Sequence, residues 1–72
     1  MAIDTAGFSS SNLLSGSYDA ETETMTIQFH SGHTWEYRNV PQGIWEGLKA
    51  AASAGSYFHR QIKGRFGGSE VS

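Results

Sequence analysis

Strict alternation of polar and apolar residues marks one segment of the chain as a β-strand. Residues 24–30 read Thr-Met-Thr-Ile-Gln-Phe-His, and successive side chains of a strand point to opposite faces, so one face is apolar and the other polar. The Ser31-Gly32 dipeptide that follows is typical of a two-residue hairpin turn, because glycine adopts a positive φ without steric cost. Residues 33–38 return with Trp35 and Tyr37 on one face. The pattern predicts a β-hairpin.

Two helices are predicted after this hairpin. Pro41 is typical of the first helical position, because the backbone N–H that proline lacks would have no partner within the helix at that position. Ile44 and Leu48 recur at helical spacing. Gly55 is predicted to end the first helix as its C-cap, and Ser56 is predicted to cap a second, shorter helix.

These elements predict an α+β fold. A further strand is predicted before the hairpin at residues 13–18, with Leu14 and Tyr18 on one face. The predicted architecture is a three-stranded antiparallel sheet (β-β-β) packed against one longer and one short C-terminal helix. Residues 1–11 and 67–72 are predicted to be flexible ends of a single domain at residues 12–66. The predicted core comprises Leu14, Tyr18, Met25, Ile27, Phe29, Trp35, Tyr37, Val40, Ile44, Leu48, Phe58 and Ile62.

Composition narrows the class of protein. A chain of 72 residues has room for one domain of marginal stability. Cysteine is absent, which excludes disulfides and thiolate zinc sites and leaves homo-oligomerisation as the expected source of extra stability. No apolar run is long enough to cross a membrane, and no secretory signal is visible, so a cytoplasmic location in a bacterial or phage-infected cell is expected.

Charge is unevenly distributed. The net charge is −2, which argues against binding to duplex DNA, where neutralisation of phosphates dominates affinity. Residues 1–37 hold five acidic and no basic side chains, whereas residues 38–72 hold five basic and two acidic ones. An anion can therefore be bound by the C-terminal half of a chain that is acidic overall.

The basic residues of that half give the candidate binding site. Arg60 and Lys63 are three apart and can share a helix face, and arginine contacts phosphate through two parallel hydrogen bonds. An ordinary solvated face is the alternative interpretation. Trp45 flanks the apolar stripe of the first helix and is expected to be half exposed. The candidate ligand-binding residues are Arg38, Trp45, His59, Arg60, Lys63 and Arg65.

Catalytic and metal chemistry find little support. His30 and His33 flank the hairpin turn, but no third ligand is placed beside them in the sequence. No serine stands in a nucleophile-elbow context. We therefore expect no enzyme activity, no metal and no cofactor. Trp35 and Tyr37 can be either a platform for stacking bases or part of the core; their alternation with the buried face of the hairpin favours the core.

A series of short motifs resembles a known family. In order they are Ser11-Asn12, Gly16-Ser17-Tyr18-Asp19, Phe29-His30-Ser31-Gly32, Trp35-Glu36-Tyr37, Val40-Pro41, residues 52–58 and Ile62-Lys63. This series resembles the KTSC domain, a short module named for the C-terminus of some lysyl-tRNA synthetases and also found alone in small bacterial and phage proteins. The central family motif is usually Tyr-x-Tyr, and Trp35 replaces the first Tyr. The resemblance implies no established activity; attachment to a synthetase suggests RNA binding.

Two functional hypotheses follow. The first is a non-catalytic binding module for RNA or a small nucleotide, including an oligomeric phage-type sponge that sequesters cyclic nucleotide signals. The acidic N-terminal half favours a small ligand over a long RNA, because repulsion acts along a long backbone. The second is a protein-interaction or homo-oligomerisation module that acts through the sheet edges, with the first strand as an exposed edge.

Overall fold

The computed structural model describes residues 3–71 and contains five strands and two helices. The elements are β1 (Ile3–Gly7), β2 (Leu13–Asp19), β3 (Thr24–Phe29), β4 (Thr34–Tyr37), α1 (Gln42–Ala50), α2 (Ala54–Gln61) and β5 (Gly68–Glu70). The strands form one antiparallel sheet in the order β1-β2-β3-β4-β5. The chain is thus α+β, as predicted, with both helices inserted between the adjacent strands β4 and β5.

The prediction of three strands is wrong, because both ends of the chain join the sheet. Ala6 of β1 lies opposite Gly16, and Glu70 of β5 lies opposite Trp35. These strands lie in segments 1–11 and 67–72, which the sequence analysis placed outside the domain. As a result β2 is paired on both sides, so the edges of the sheet are β1 and β5 and the prediction of β2 as an exposed edge is also wrong.

A β-bulge explains why Leu14 is not in the core. The pairing of β2 with β3 shifts register between Leu13 and Ser15. An extra residue at this point reverses which side chain points inward. Leu13 is fully buried, whereas Leu14 is 46% exposed.

The hairpin between β3 and β4 has a three-residue connection rather than the predicted two-residue turn. The N–H of Gly32 donates to the carbonyl of Phe29 at 3.0 Å, and the N–H of Phe29 donates to the carbonyl of His33 at 2.9 Å. Gly32 has a φ of +95°, a conformation that glycine adopts without strain and that three-residue hairpins require.

The helix boundaries differ from the predicted ones. Pro41 occupies the N-cap position just before α1, and α1 ends at Ala50, followed by an extended residue. Gly55 is therefore not a C-cap and lies in the first turn of α2. Ser53 caps α2, since its hydroxyl accepts the N–H of Ser56 at 3.2 Å. A serine three residues before a free helical N–H provides this cap. Neither helix in residues 3–71 is long and apolar enough to cross a membrane.

The core has one aromatic centre under each helix. Beneath α1, the Trp45 ring stacks on Tyr18 with centroids 5.9 Å apart. Beneath α2, the Phe58 ring meets Phe29 and Tyr37 edge-on at 5.5 and 5.7 Å. The buried hydrophobic residues are Leu13, Tyr18, Met25, Ile27, Tyr37, Val40, Trp45, Leu48, Ala54, Phe58 and Ile62.

Candidate functional site

An open cavity of about 580 Å³ lies between α2 and the end of the sheet that carries the β3–β4 hairpin. We call it the aromatic cleft, because five aromatic side chains line it: Phe29, Trp35, Tyr37, Phe58 and Phe66. Alternation along the hairpin turns the first three toward the helices. The helices cover this part of the sheet only in part, which leaves a concave apolar surface.

Trp35 and Tyr37 differ in their exposure. Their rings stack with centroids 6.4 Å apart and an interplanar angle of 21°. Tyr37 is 7% exposed, and burial raises the pKa of its phenol. Trp35 is half-buried at the wall of the cleft. The interpretation of the pair as core therefore holds for Tyr37, while Trp35 keeps an accessible ring surface.

Basic and neutral polar residues surround the aromatic wall. His30, His33, His59 and Lys63 line the cleft, and its lining among residues 3–71 includes no carboxylate. The imidazole of His30 contacts the carbonyl of Ser10 at 2.9 Å. His33 contacts the Glu70 carboxylate, which reaches it from β5 without lining the cleft.

The acidic side chains of residues 3–37 are not among the residues that line the cleft. Asp19 ends β2, and Glu21 and Glu23 lie in the turn before β3; none of the three lines the cleft. The cleft follows β4 from the hairpin to Tyr37, which pairs with Met25 near the start of β3. An anion entering the cleft meets basic side chains despite the net charge of −2.

The predicted basic cluster is divided by the fold. His59 and Lys63 line the cleft, and Arg60 borders a neighbouring polar cavity together with His59. Arg65 is exposed and lines neither. Arg38 follows Tyr37, so it points to the opposite face of the sheet, where its guanidinium pairs with Glu36 at 2.9 Å. Arg38 therefore does not join the others.

The prediction that Trp45 is half exposed is wrong, since its side chain is fully buried. Its indole N–H donates to the Asp4 carboxylate at 2.9 Å, and Lys49 contacts the same carboxylate while its ammonium lies 5.6 Å from the Trp45 ring centroid. The hydrogen bonds from Lys49 and Trp45 lower the pKa of Asp4. Trp45 is removed from the ligand-binding residues because β1, which the sequence analysis missed, covers it.

Sequence reasoning also missed Asn12 and Phe66 as lining residues of the cleft. Phe66 could have been found in the sequence, because it is a large aromatic residue next to a mostly polar tail. No group of three or more histidine, cysteine or acidic residues within residues 3–71 is arranged to hold a metal ion.

Residues 9–66 match the family model described as the KTSC domain. The chain belongs to the KTSC domain family. This confirms the resemblance seen in the order of its motifs. A crystal structure of a KTSC domain protein from Yersinia pestis matches the fold with a TM-score of 0.92 and 32% identity, covering 99% of this chain and 100% of that one.

The sequence of this KTSC domain is similar to curated proteins of two kinds, large tRNA ligases and a small protein. It is similar to lysine–tRNA ligases of Trichormus variabilis (47% identical over 49 residues, 68% of the chain) and Nostoc punctiforme (46% over 50 residues, 69% of the chain). The chain spans only 9% of the length of each ligase. It is also similar to an uncharacterized protein of Stutzerimonas stutzeri, 35% identical over 54 residues and covering 75% of this chain and 76% of that protein.

Proposed function

We propose that this KTSC domain is a non-catalytic module that binds RNA or a small nucleotide, with one base against Trp35 in the aromatic cleft. The observation that carries the proposal is the joint lining of the cleft, in which, among residues 3–71, five aromatic side chains stand beside three histidines and a lysine and no carboxylate. An apolar aromatic surface with the Lys63 ammonium and hydrogen-bonding imidazoles beside it suits a planar base joined to a phosphate.

Trp35 is the residue best placed to stack on a base. It is half-buried, so its position is fixed while part of the indole remains accessible. Stacking of a base on an aromatic side chain contributes about 1–3 kcal/mol and tolerates any base, because every base has a π-face. The replacement of the usual family Tyr by Trp preserves this role and enlarges the stacking surface.

The relatives favour RNA as one source of the nucleotide. The matched segment occurs in lysine–tRNA ligases, whose name couples them to tRNA. The acidic N-terminal half favours a short contact over a long one. If the protein forms oligomers, the same proposal includes a protein that sequesters a cyclic nucleotide between its protomers.

Calorimetry of the full chain tests the proposal. The probes are nucleoside monophosphates, cyclic di- and trinucleotides, a ten-nucleotide single-stranded RNA and tRNA. We expect at least one to bind more tightly than about 1 mM, equivalent to about −4 kcal/mol. We expect Trp35→Ala to weaken that binding by about 5-fold to 150-fold, the range that 1–3 kcal/mol of stacking implies.

Two controls separate binding from folding. Trp35→Phe keeps an aromatic face and should retain most of the affinity, and Arg38→Gln removes a cation from the opposite face and should retain all of it. Because Trp35 is only half-buried, Trp35→Ala should cost less stability than the ~3–5 kcal/mol typical of a fully buried tryptophan. No binding by any probe, or unchanged affinity in folded Trp35→Ala, would remove the proposal.

The exposed edges favour homo-oligomerisation as a second candidate function. Ile3 on β1 and Val71, which follows β5, are 52% and 55% exposed, so each edge of the sheet carries an accessible hydrophobic side chain. Unpaired edge strands pair readily with another chain. Sedimentation of the native chain should then show a dimer or larger species, and Ile3→Lys should shift it to monomer. A native chain that is monomeric at about 1 mM would remove this candidate.

A further inference from the structure

A second cavity, of about 480 Å³, lies beside the aromatic cleft between residues 9–12 and the beginning of α2. The two cavities share four lining residues: Ser11, Asn12, Gly55 and His59. They therefore adjoin each other across a common wall. A Cβ atom at Gly55 would lie 3.1 Å from the hydroxyl of Ser10, so the absence of a side chain at Gly55 allows this loop to approach α2 closely.

The chemistry of the second cavity differs from that of the cleft. Among residues 3–71 it is lined by no Phe, Tyr or Trp, and five of its ten lining residues are serines. Ser10 and Ser53 use their hydroxyls within the fold, Ser10 to accept the N–H of Asn12 and Ser53 to cap α2. The hydroxyls of Ser9 and Ser56 have no hydrogen-bond partner within residues 3–71 and are free to donate to an incoming group.

Arg60 supplies the charge of this cavity. Its Nε donates to the carbonyl of Ser56 at 3.3 Å, which places the guanidinium beside the serines. Among residues 3–71, Arg38 and Lys49 pair with carboxylates, whereas Arg60 has no acidic partner and no carboxylate lines the cavity. A guanidinium with its terminal N–H groups unpaired, next to free hydroxyls, is suited to a phosphate.

We propose that this cavity binds the phosphate of the same nucleotide whose base lies in the aromatic cleft. The inference rests on the proposed function and adds the class of ligand, a nucleoside phosphate rather than a nucleoside or an uncharged aromatic compound. His59 lies on the common wall, within reach of both parts of such a ligand. A free nucleotide and the phosphorylated end of an RNA offer the same chemistry.

Paired titrations of the full chain in a phosphate-free buffer test the inference. Adenosine is compared with its 5′- and 3′-monophosphates, and uridine with its own. We expect at least one monophosphate to bind about 10-fold or more tightly than its nucleoside, the effect of one charge-assisted contact. Arg60→Gln should reduce this ratio to about 3-fold or less and leave the affinity for the nucleoside unchanged. Arg65→Gln, which alters a nearby cation outside both cavities, should leave the ratio intact.

The possible failures can be told apart. Equal affinity for nucleoside and monophosphate, or an Arg60→Gln variant that keeps the full ratio, would overturn the phosphate site and leave the base site standing. Failure of every nucleoside and nucleotide to bind would overturn this inference, and the proposed function falls with it if the ten-nucleotide RNA and tRNA also fail to bind. A ten-nucleotide RNA with and without a 5′-phosphate then distinguishes the sources. Preference for the phosphorylated RNA over the monophosphate indicates an RNA end, and the reverse order indicates a free nucleotide.

Discussion

Replacing Gly68 by alanine tests whether β5 is packed against the aromatic cleft. A Cβ atom at Gly68 would lie 2.6 and 2.9 Å from two ring carbons of Tyr37 and 3.4 Å from a ring carbon of Trp35. Carbon atoms in contact are normally about 3.5–4.0 Å apart, so the ring or the strand must move by about 1 Å. Tyr37 cannot yield easily, because it is 7% exposed and packs edge-on against Phe58. We expect Gly68→Ala to lower the free energy of unfolding by about 1–3 kcal/mol, the usual cost of overpacking.

Urea denaturation measures this loss, and the neighbouring glycine provides the control. A Cβ atom at Gly67 would have no atom within 4 Å, so Gly67→Ala should leave stability unchanged or raise it by up to ~1 kcal/mol through the unfolded state. Hydrogen exchange at Val71, whose N–H donates to the carbonyl of Thr34 at 2.9 Å, should be faster in Gly68→Ala only. Equal stability and equal exchange in the two variants would refute the packing of β5 on Tyr37.

Two further predictions concern the core and the ion pair beneath α1. The Tyr18 hydroxyl donates to the carbonyl of Val40 at 2.6 Å, so Tyr18→Phe should cost about 1–3 kcal/mol in urea denaturation by leaving a buried carbonyl unpaired. As a control, Tyr57→Phe removes a hydroxyl without a partner in residues 3–71 and should change stability by less than about 0.5 kcal/mol. Equal losses of stability in the two variants would contradict the hydrogen bond from Tyr18 to Val40. Asp4→Asn keeps an acceptor for the buried indole but removes the charge paired with Lys49. The folded pKa of Asp4 is below its ordinary 3.8, so the contribution of its ionised carboxylate to stability is present above pH 3.8 and is lost as pH falls through the folded pKa. The difference in melting temperature between wild type and Asp4→Asn should therefore narrow below about pH 4. A difference that stays constant with pH would contradict the pairing of Asp4 with Lys49.

The hairpin was predictable because its signal is local. Alternation in residues 24–30 and the glycine at position 32 indicate the strand, its inward face and the place of the turn, although not the length of the turn. The bulge in β2 was not predictable, because Leu13 and Leu14 are both apolar and the choice between them depends on pairing with β3.

The two edge strands escaped prediction for a different reason. Residues of β1 and β5 are mostly exposed, so their side chains carry little of the hydrophobic pattern that marks a strand. Hydrogen bonds to the neighbouring strand hold them, and such bonds depend on a partner distant in sequence. Missing β1 led directly to the error about Trp45, because the carboxylate that pairs with the buried indole belongs to Asp4.

The candidate site was predictable only in part. His59 and Lys63 were singled out from local charge and do line the cleft. Arg38 was included for its charge, although alternation along the strand already places it on the face opposite to Trp35 and Tyr37. The cleft itself joins Phe29 of β3 with Phe58 of α2 and Phe66 beyond it, and this juxtaposition is produced by the tertiary fold.

Nuclear magnetic resonance of the two indole N–H groups tests the central claim most directly. Trp35 lines the aromatic cleft, whereas Trp45 is fully buried under α1 and bonded to Asp4. During titration with the tightest-binding nucleotide or RNA, the Trp35 indole signal should shift to saturation while the Trp45 signal stays in place. A saturating titration that leaves the Trp35 signal unmoved would contradict base binding in the cleft.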